Sequence, residues 1–216
     1  MPIASPKPPR KPRADAERNR RSVLDAASVV FASRGPAATL EEVAQAAGVG
    51  VGTIYRKFCD KQALLDALFD DKAASFRRPA LEAVRIADPG DAFRSYLSGL
   101  MELLASDQSL MTVLFGPGRH ARFPSDLGEE TASTVDGLIG AAIAAGELHE
   151  GFTRQDAVVL GAMVGRVAGA TREEHPELWR RYAQLIVDGT RTSGHEPLRQ
   201  GALPFPDTVR AMGHML

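Results

Sequence analysis

The sequence predicts an all-α protein in which a small three-helix head precedes a larger helical bundle. Two observations carry this. Apolar residues recur at helical spacing through nearly the whole chain with no strand-like alternation, and the breaks between the periodic segments are short and marked by glycine or proline. A third separates head from body: residues 1–61 hold 11 Lys/Arg against 6 Asp/Glu, and the remainder holds 15 against 21. A basic head on an acidic body predicts that one end meets a polyanion.

Residues 1–15 are expected to be a basic flexible arm. Prolines at 2, 6, 8, 9 and 12 oppose a helix there, and Lys7, Arg10, Lys11 and Arg13 supply charge. From Asp15, the spacing of Val23, Leu24, Ala27, Val30 and Phe31 predicts a first helix that ends at Gly35-Pro36.

Thr39-Leu40-Glu41-Glu42 has the spacing of a capping box, so a second helix should start at Leu40. It should stop near Ala47, because Gly48 suits a left-handed turn. Val51 to Lys57 then makes a short third helix closed by Phe58. Asp60 caps a fourth helix from Lys61 to about Arg78, ended by Pro79.

The body should continue with helices over 80–87, 91–105, 108–114, 126–145, 154–170 and 176–192. The boundaries expected are a head at 16–61, a body at 62–192 and a C-terminal tail at 193–216, which holds three prolines and three glycines.

Ala44, Gly48 and Ile54 fall at the A-x3-G-x5-I spacing of a helix-turn-helix. A small residue at 44 lets two helices cross closely, Gly48 turns the chain, and Ile54 with Val49 and Val43 fills the wedge between them. The solvent face of the third helix carries Gly50, Gly52, Thr53, Tyr55, Arg56 and Lys57, a surface suited to the major groove. Gly52 permits close approach, Thr53 suits a thymine methyl or a phosphate, and Arg56 suits guanine or phosphate. Tyr55, Lys57 and Lys61, with Thr39 across the turn, are placed for phosphates.

The stretches RSVLDAASVVFASRG, TLEEVAQAAGVGVGTIYRKF and DKQALLDALF, which include the run from Arg21 to Asp66, resemble the DNA-binding domain of the TetR family of bacterial transcriptional regulators. The family often has serine and a basic residue where this chain has Gly50 and Val51-Gly52, and histidine or an aromatic where it has Lys57. The assignment of each base-reading residue therefore does not carry over.

The resemblance implies a helix-turn-helix DNA-binding head, a long connecting helix, and a helical-bundle ligand-binding and dimerisation domain. It implies a repressor released from operator DNA by a small-molecule effector, acting as a homodimer. The single cysteine and the basic, proline-rich start without a following apolar stretch separately lead to the expectation of a cytoplasmic protein. Residues 146–169 and 178–191 are similar to the last two helices of the family, which usually form the dimer interface; Trp179 and Tyr182 fall there. Ala157, Gly161, Gly165 and Gly169 stand four apart on one helix face. Because each interior glycine costs a helix roughly 1 kcal/mol, the stripe predicts a closely packed partner helix, either in a second copy or in the same subunit.

Phe93, Tyr96, Leu100, Met101, Met111, Phe115 and Met163, with Arg119 as a polar anchor, are the candidates for an effector pocket, or else simply core. No cofactor, metal or membrane partner is expected. The five histidines never pair at metal-binding helical spacing, the longest apolar run (157–165) is too short for a span, and no catalytic signature is present. Cys59 cannot form an intrachain disulfide, and it reads as an ordinary linker residue rather than a redox sensor. The competing readings are a non-specific nucleoid-type DNA-binding protein and a small helical enzyme tethered to DNA by its head.

Overall fold

The computed structural model describes residues 12–115 and 128–191 together with residues 198, 200–204, 206–208 and 210 of the C-terminal segment. Among these, all regular elements are helical: α1 (Pro12–Arg34), a short 3-10 turn (Gly35–Ala37), α2 (Leu40–Ala47), α3 (Val51–Phe58), α4 (Lys61–Ala83), α5 (Pro89–Ser106), α6 (Ser109–Phe115), α7 (Glu129–Ala144), α8 (Arg154–Thr171) and α9 (Leu178–Gly189).

Two sequence expectations about proline need correction. The first helix starts at Pro12 rather than Asp15, so only residues 1–11 of the expected arm precede it, and these lie outside the described residues. A proline in the first turn gives up an N–H that has no helical partner anyway, so Pro12 opens the helix instead of preventing it.

Pro79 does not end α4, which continues to Ala83; no separate helix spans 80–87. The lost backbone hydrogen bond is offset by packing on both sides of the proline. Phe76, Ala80 and Ala83 are buried, and the Pro79 ring sits against α5 where Gly99 leaves room for it.

The head is a compact wedge of α1, α2 and α3 capped by the start of α4. Its interior is Val23, Leu24, Ala27, Phe31, Val43, Ala44, Ile54 and Phe58, all nearly inaccessible. The body is built around α5, which packs most extensively on α8 and also meets α4, α7 and α9. Phe93, Leu97, Met101 and Leu104 form its inner face, and Phe93 meets Phe152 edge-on with ring centroids 5.1 Å apart.

Head and body are joined through α6, whose seven residues are all buried. This joint is polar, whereas most of the core is not. Thr112 Oγ1 donates to the Phe31 carbonyl at 3.3 Å, and the Ser28 and Ser109 hydroxyls lie 3.2 Å apart. Ser109 also donates to Asp107 at 2.6 Å, and Asp107 pairs with Lys72 of α4. Buried hydroxyls with partners avoid the cost of an unmet donor, so the joint is fixed in direction as well as in contact.

The later helices are displaced from expectation by only one to three residues. Expected helical residues 126–127 fall outside the described range, as does much of the tail.

Candidate nucleic-acid interface

The second helix starts where the capping box requires. Thr39 has extended backbone, its Oγ1 accepts from the Glu42 amide at 3.2 Å, and Glu42 accepts from the Thr39 amide at 2.9 Å. Such a cap stabilises a helix by about 1 kcal/mol. At the other end Gly48 adopts φ 67° and ψ 30°, the left-handed conformation that its place in the motif demands. Val49 N then donates to Ala44 O at 3.0 Å, closing the turn.

Two residues on, α3 begins. Its buried side, Ile54 and Phe58, locks against Val43 and Ala44. Burying side chains of this size contributes about 1.5–3 kcal/mol each, so the angle between α2 and α3 is set by the core and not by the turn alone.

The opposite side of α3 is open. Gly52, Tyr55 and Arg56 are exposed, and Thr53 and Lys57 are half-buried at its edges. Gly50 provides the extended residue before the helix, and a Cβ at Gly50 or Gly52 would meet nothing within 4 Å. Neither glycine is needed for contacts within the chain. The Tyr55 hydroxyl donates to the Glu41 carboxylate at 3.2 Å, bracing α3 against α2. Hydrogen bonds to backbone amide, Thr39 and Tyr55 hold the Glu41 carboxyl below its usual range, and the charge of Glu41 in turn pushes the Tyr55 phenol up.

Of the eight residues predicted to contact DNA, Gly50, Gly52, Thr53, Tyr55, Arg56 and Lys57 lie on or beside this face, and Thr39 is exposed at the neighbouring end of α2. Lys61 is turned inward: its ammonium donates to the Pro36 carbonyl at 2.6 Å and lies 5.8 Å from the Phe31 ring centroid. It ties α4 to the turn after α1. Cys59, at the turn into α4, is exposed and has φ 58°, an uncommon backbone for a residue with a side chain.

Sequence reasoning missed Arg20, which α1 places over the Phe58 ring at 5.8 Å from its centroid, at the far end of α3. Burial lowers the Lys57 pKa, and the nearby Arg20 charge lowers it further, against an opposing effect of Glu17. The periodicity of α1 shows Arg20 only as an exposed position, and nothing local points to α3.

The body bears on two further expectations. The stripe Ala157, Gly161, Gly165 and Gly169 does pack closely on a helix, but on the α5–α6 side of its own chain. A Cβ at Gly161 would stand 2.9 Å from Leu104 Cδ1, one at Gly165 2.9 Å from Met111 Sδ, and one at Gly169 2.5 Å from Gln108 Oε1. This face is therefore filled without a second copy. Trp179 is likewise packed inside, with the Arg180 guanidinium over its ring, whereas Tyr182 is exposed.

Among the pocket candidates, Phe93, Tyr96, Leu100, Met101, Met111 and Phe115 are buried core. Met163 is 46% exposed on the outer face of α8 and faces no interior space. Arg119 lies outside the described residues. An open groove of about 420 Å³ lies elsewhere, between the α4–α5 junction and α7, walled by Val84, Ile86, Pro89, Ala92, Thr134 and Leu138. Among the described residues no group of His, Cys, Asp and Glu could hold a metal ion, and no helix is long and apolar enough to cross a membrane.

Residues 23–68 match the family described as bacterial regulatory proteins, tetR family, and residues 88–192 match the C-terminal domain of SbtR-like transcriptional regulators. The chain belongs to the TetR family. The two matches together cover more than two thirds of it. It is 31% identical over 112 residues to the HTH-type transcriptional regulator AcrR of Shigella flexneri, covering 49% of this chain and 52% of that protein. The chain spans about half or less of the length of the curated relatives it matches.

Similar solved structures show the same fold. A TetR family transcription regulator from Marinobacter aquaeolei VT8 has a TM-score of 0.58 at 18% identity, covering 84% of this chain and 100% of that one. The transcriptional regulator FadR of Bacillus subtilis, solved in complex with stearoyl-CoA, has a TM-score of 0.55 at 24% identity, covering 78% and 98%.

Proposed function

We propose that this TetR-family chain is a sequence-specific DNA-binding transcriptional regulator, acting as a homodimeric repressor that a small-molecule effector releases from its operator. The observation that carries the reading is α3, a helix with one side locked in the core and the other offering two glycines with open space, Thr53 and Arg56. Glycine is a poorer helix former than alanine, by up to roughly 1 kcal/mol in a helix interior and less in a first turn such as that of Gly52. Gly52 has no neighbour in its own chain that would exclude a side chain, and close approach to a groove explains it.

Two copies related by a two-fold axis would place two such helices on half-sites of a palindrome. With the glycine stripe occupied inside the chain, the outer faces of α8 and α9, where Met163, Tyr182 and Leu185 are exposed, are the surfaces available for that contact. A buried apolar pair of helices from each copy makes a stable interface.

For the effector, the groove beside α7 is within the size range of small-molecule sites. The structural neighbour FadR, solved with stearoyl-CoA, supports a ligand-responsive body. An effector acts on DNA binding only to the extent that it prefers the conformation that does not bind. The family is one of transcriptional regulators, which favours this reading over a tethered enzyme.

The test is selection of bound fragments from a random DNA pool at physiological salt, with a Tyr55→Ala, Arg56→Ala variant beside the native chain. One palindromic sequence, lost in the variant, is the expected result. Binding without any sequence preference would instead establish the nucleoid-type reading.

A further inference from the structure

The head holds seven Lys and Arg residues between Arg18 and Lys61, and most are already engaged. Arg21 pairs with Asp71 at 2.8 Å and Asp25 at 3.4 Å, and Arg34 pairs with Glu42 at 3.2 Å. Lys61 is spent on the Pro36 carbonyl, and Arg18 and Lys57 each have a partner as well. Arg20 and Arg56 form no ion pair among the described residues. Arg56 stands on the open face of α3, where its purpose is evident. Arg20 is on α1, and its guanidinium lies over the face of Phe58.

That contact gives Arg20 a fixed place. Phe58 is immobilised in the head core, and a guanidinium over an aromatic face keeps its N–H edge free to donate elsewhere. The guanidinium lies at the C-terminal end of α3, over the residue that follows Lys57. Arg20 and Lys57 bring like charges together from α1 and α3, a repulsion that Glu17 opposes, and a bound anion beside them offsets it further.

We propose that Arg20 is a phosphate clamp, which together with Lys57 holds one DNA backbone phosphate at the C-terminal edge of α3 and sets the register of that helix without reading sequence. This rests on the reading of α3 as the DNA-binding helix. A phosphate is the anion at issue because a groove-bound α3 carries its own end toward the sugar-phosphate backbone, where positioning contacts are made. Arg20 extends the contact surface from the helix-turn-helix to α1, which the motif alone would leave out.

The experiment measures binding of the full chain to a random-sequence duplex and to a selected palindrome as a function of salt, for the native protein, Arg20→Gln, Arg21→Gln and Arg56→Ala, with thermal unfolding of each. Arg20→Gln is expected to weaken both duplexes by the same factor and to reduce the salt slope by about 0.9 per bound subunit, with the selected sequence and thermal midpoint unchanged. Arg21→Gln, already neutralised by its carboxylates, should keep the native slope.

If Arg56→Ala weakens binding while Arg20→Gln keeps native affinity and slope, the clamp is overturned and the DNA-binding reading stands. A lowered thermal midpoint with an unchanged slope would assign Arg20 to stabilising the end of α3 and equally overturn it. If the native protein binds neither duplex at low salt, it is the reading of α3 that fails first.

Discussion

Pro79 of α4 and Gly99 of α5 are fitted to each other: a Cβ built on Gly99 would stand 3.1 Å from the Pro79 Cβ. A proline ring inside a helix cannot rotate away, so the neighbour has to be small. This pair lets α4 run unbroken from the head into the body. Gly99→Ala is therefore expected to destabilise the protein although alanine is the better helix former. Overpacking costs about 1–3 kcal/mol and the propensity gain returns about 1 kcal/mol, leaving a net loss of roughly 1 kcal/mol, read as a lower chemical-denaturation midpoint. A stabilised variant would show that α4 and α5 are not held in this register.

Gly52→Ala should act in the opposite sense on folding. The added methyl meets nothing within 4 Å, and because Gly52 lies in the first turn of α3 the gain should be at most the roughly 0.5–1 kcal/mol of an interior glycine. Binding to the selected palindrome should nevertheless weaken severalfold, because the methyl stands where the groove must come. An unchanged affinity would remove Gly52 from the interface.

Gly165→Ala places a methyl 2.9 Å from Met111 Sδ and 3.1 Å from the Leu104 carbonyl oxygen. The sulfur can move but the backbone oxygen cannot. A loss of about 1–3 kcal/mol is expected from overpacking, with dimer dissociation unaffected when measured by sedimentation. The reverse pattern, native stability with a weakened dimer, would return the glycine stripe to the subunit interface.

Removing the cap by Thr39→Ala should cost about 1 kcal/mol, since it abolishes the bond from the Glu42 amide. Equilibrium urea unfolding checks it, and a change below a few tenths would mean that the tertiary contacts of α2 suffice without the cap.

The Glu41–Tyr55 hydrogen bond makes a prediction about pH. The Glu41 pKa is lowered in the folded chain, so its contribution to stability is present above the unfolded carboxylate range and is lost as pH falls through the lowered value. At the alkaline end, the Tyr55 phenol is raised by the Glu41 charge. Glu41→Gln should therefore shift one tyrosine of the phenolate absorbance titration to lower pH and flatten the acid limb of the stability profile. An identical titration in both proteins would mean that the hydroxyl does not rest on Glu41 in solution.

The head was legible in the sequence because its determinants are local. The Thr39–Glu42 box, the left-handed Gly48 and the Asp60 cap each state a backbone requirement within a few residues, and the structure meets all three. The exposed face of α3 followed from the same periodicity that placed Ile54 and Phe58 inside. Arg20 was not legible, since its meaning depends on a contact with Phe58 across 38 positions of sequence.

What the sequence by itself determined is the all-helical class, the order of the helices and the turn geometry of the head. Each rests on side-chain periodicity, capping and glycine conformation, which short stretches of chain fix on their own. The tertiary structure alone decided that Pro79 would be carried through α4, that Gly161 and Gly165 of α8 would face α5 and α6, and that an open groove would form beside α7 while Phe93, Tyr96, Leu100, Met101, Met111 and Phe115 pack into core. A small residue records that something comes near it, but which surface comes near is settled by partners far along the chain, so packing and not pattern chooses it.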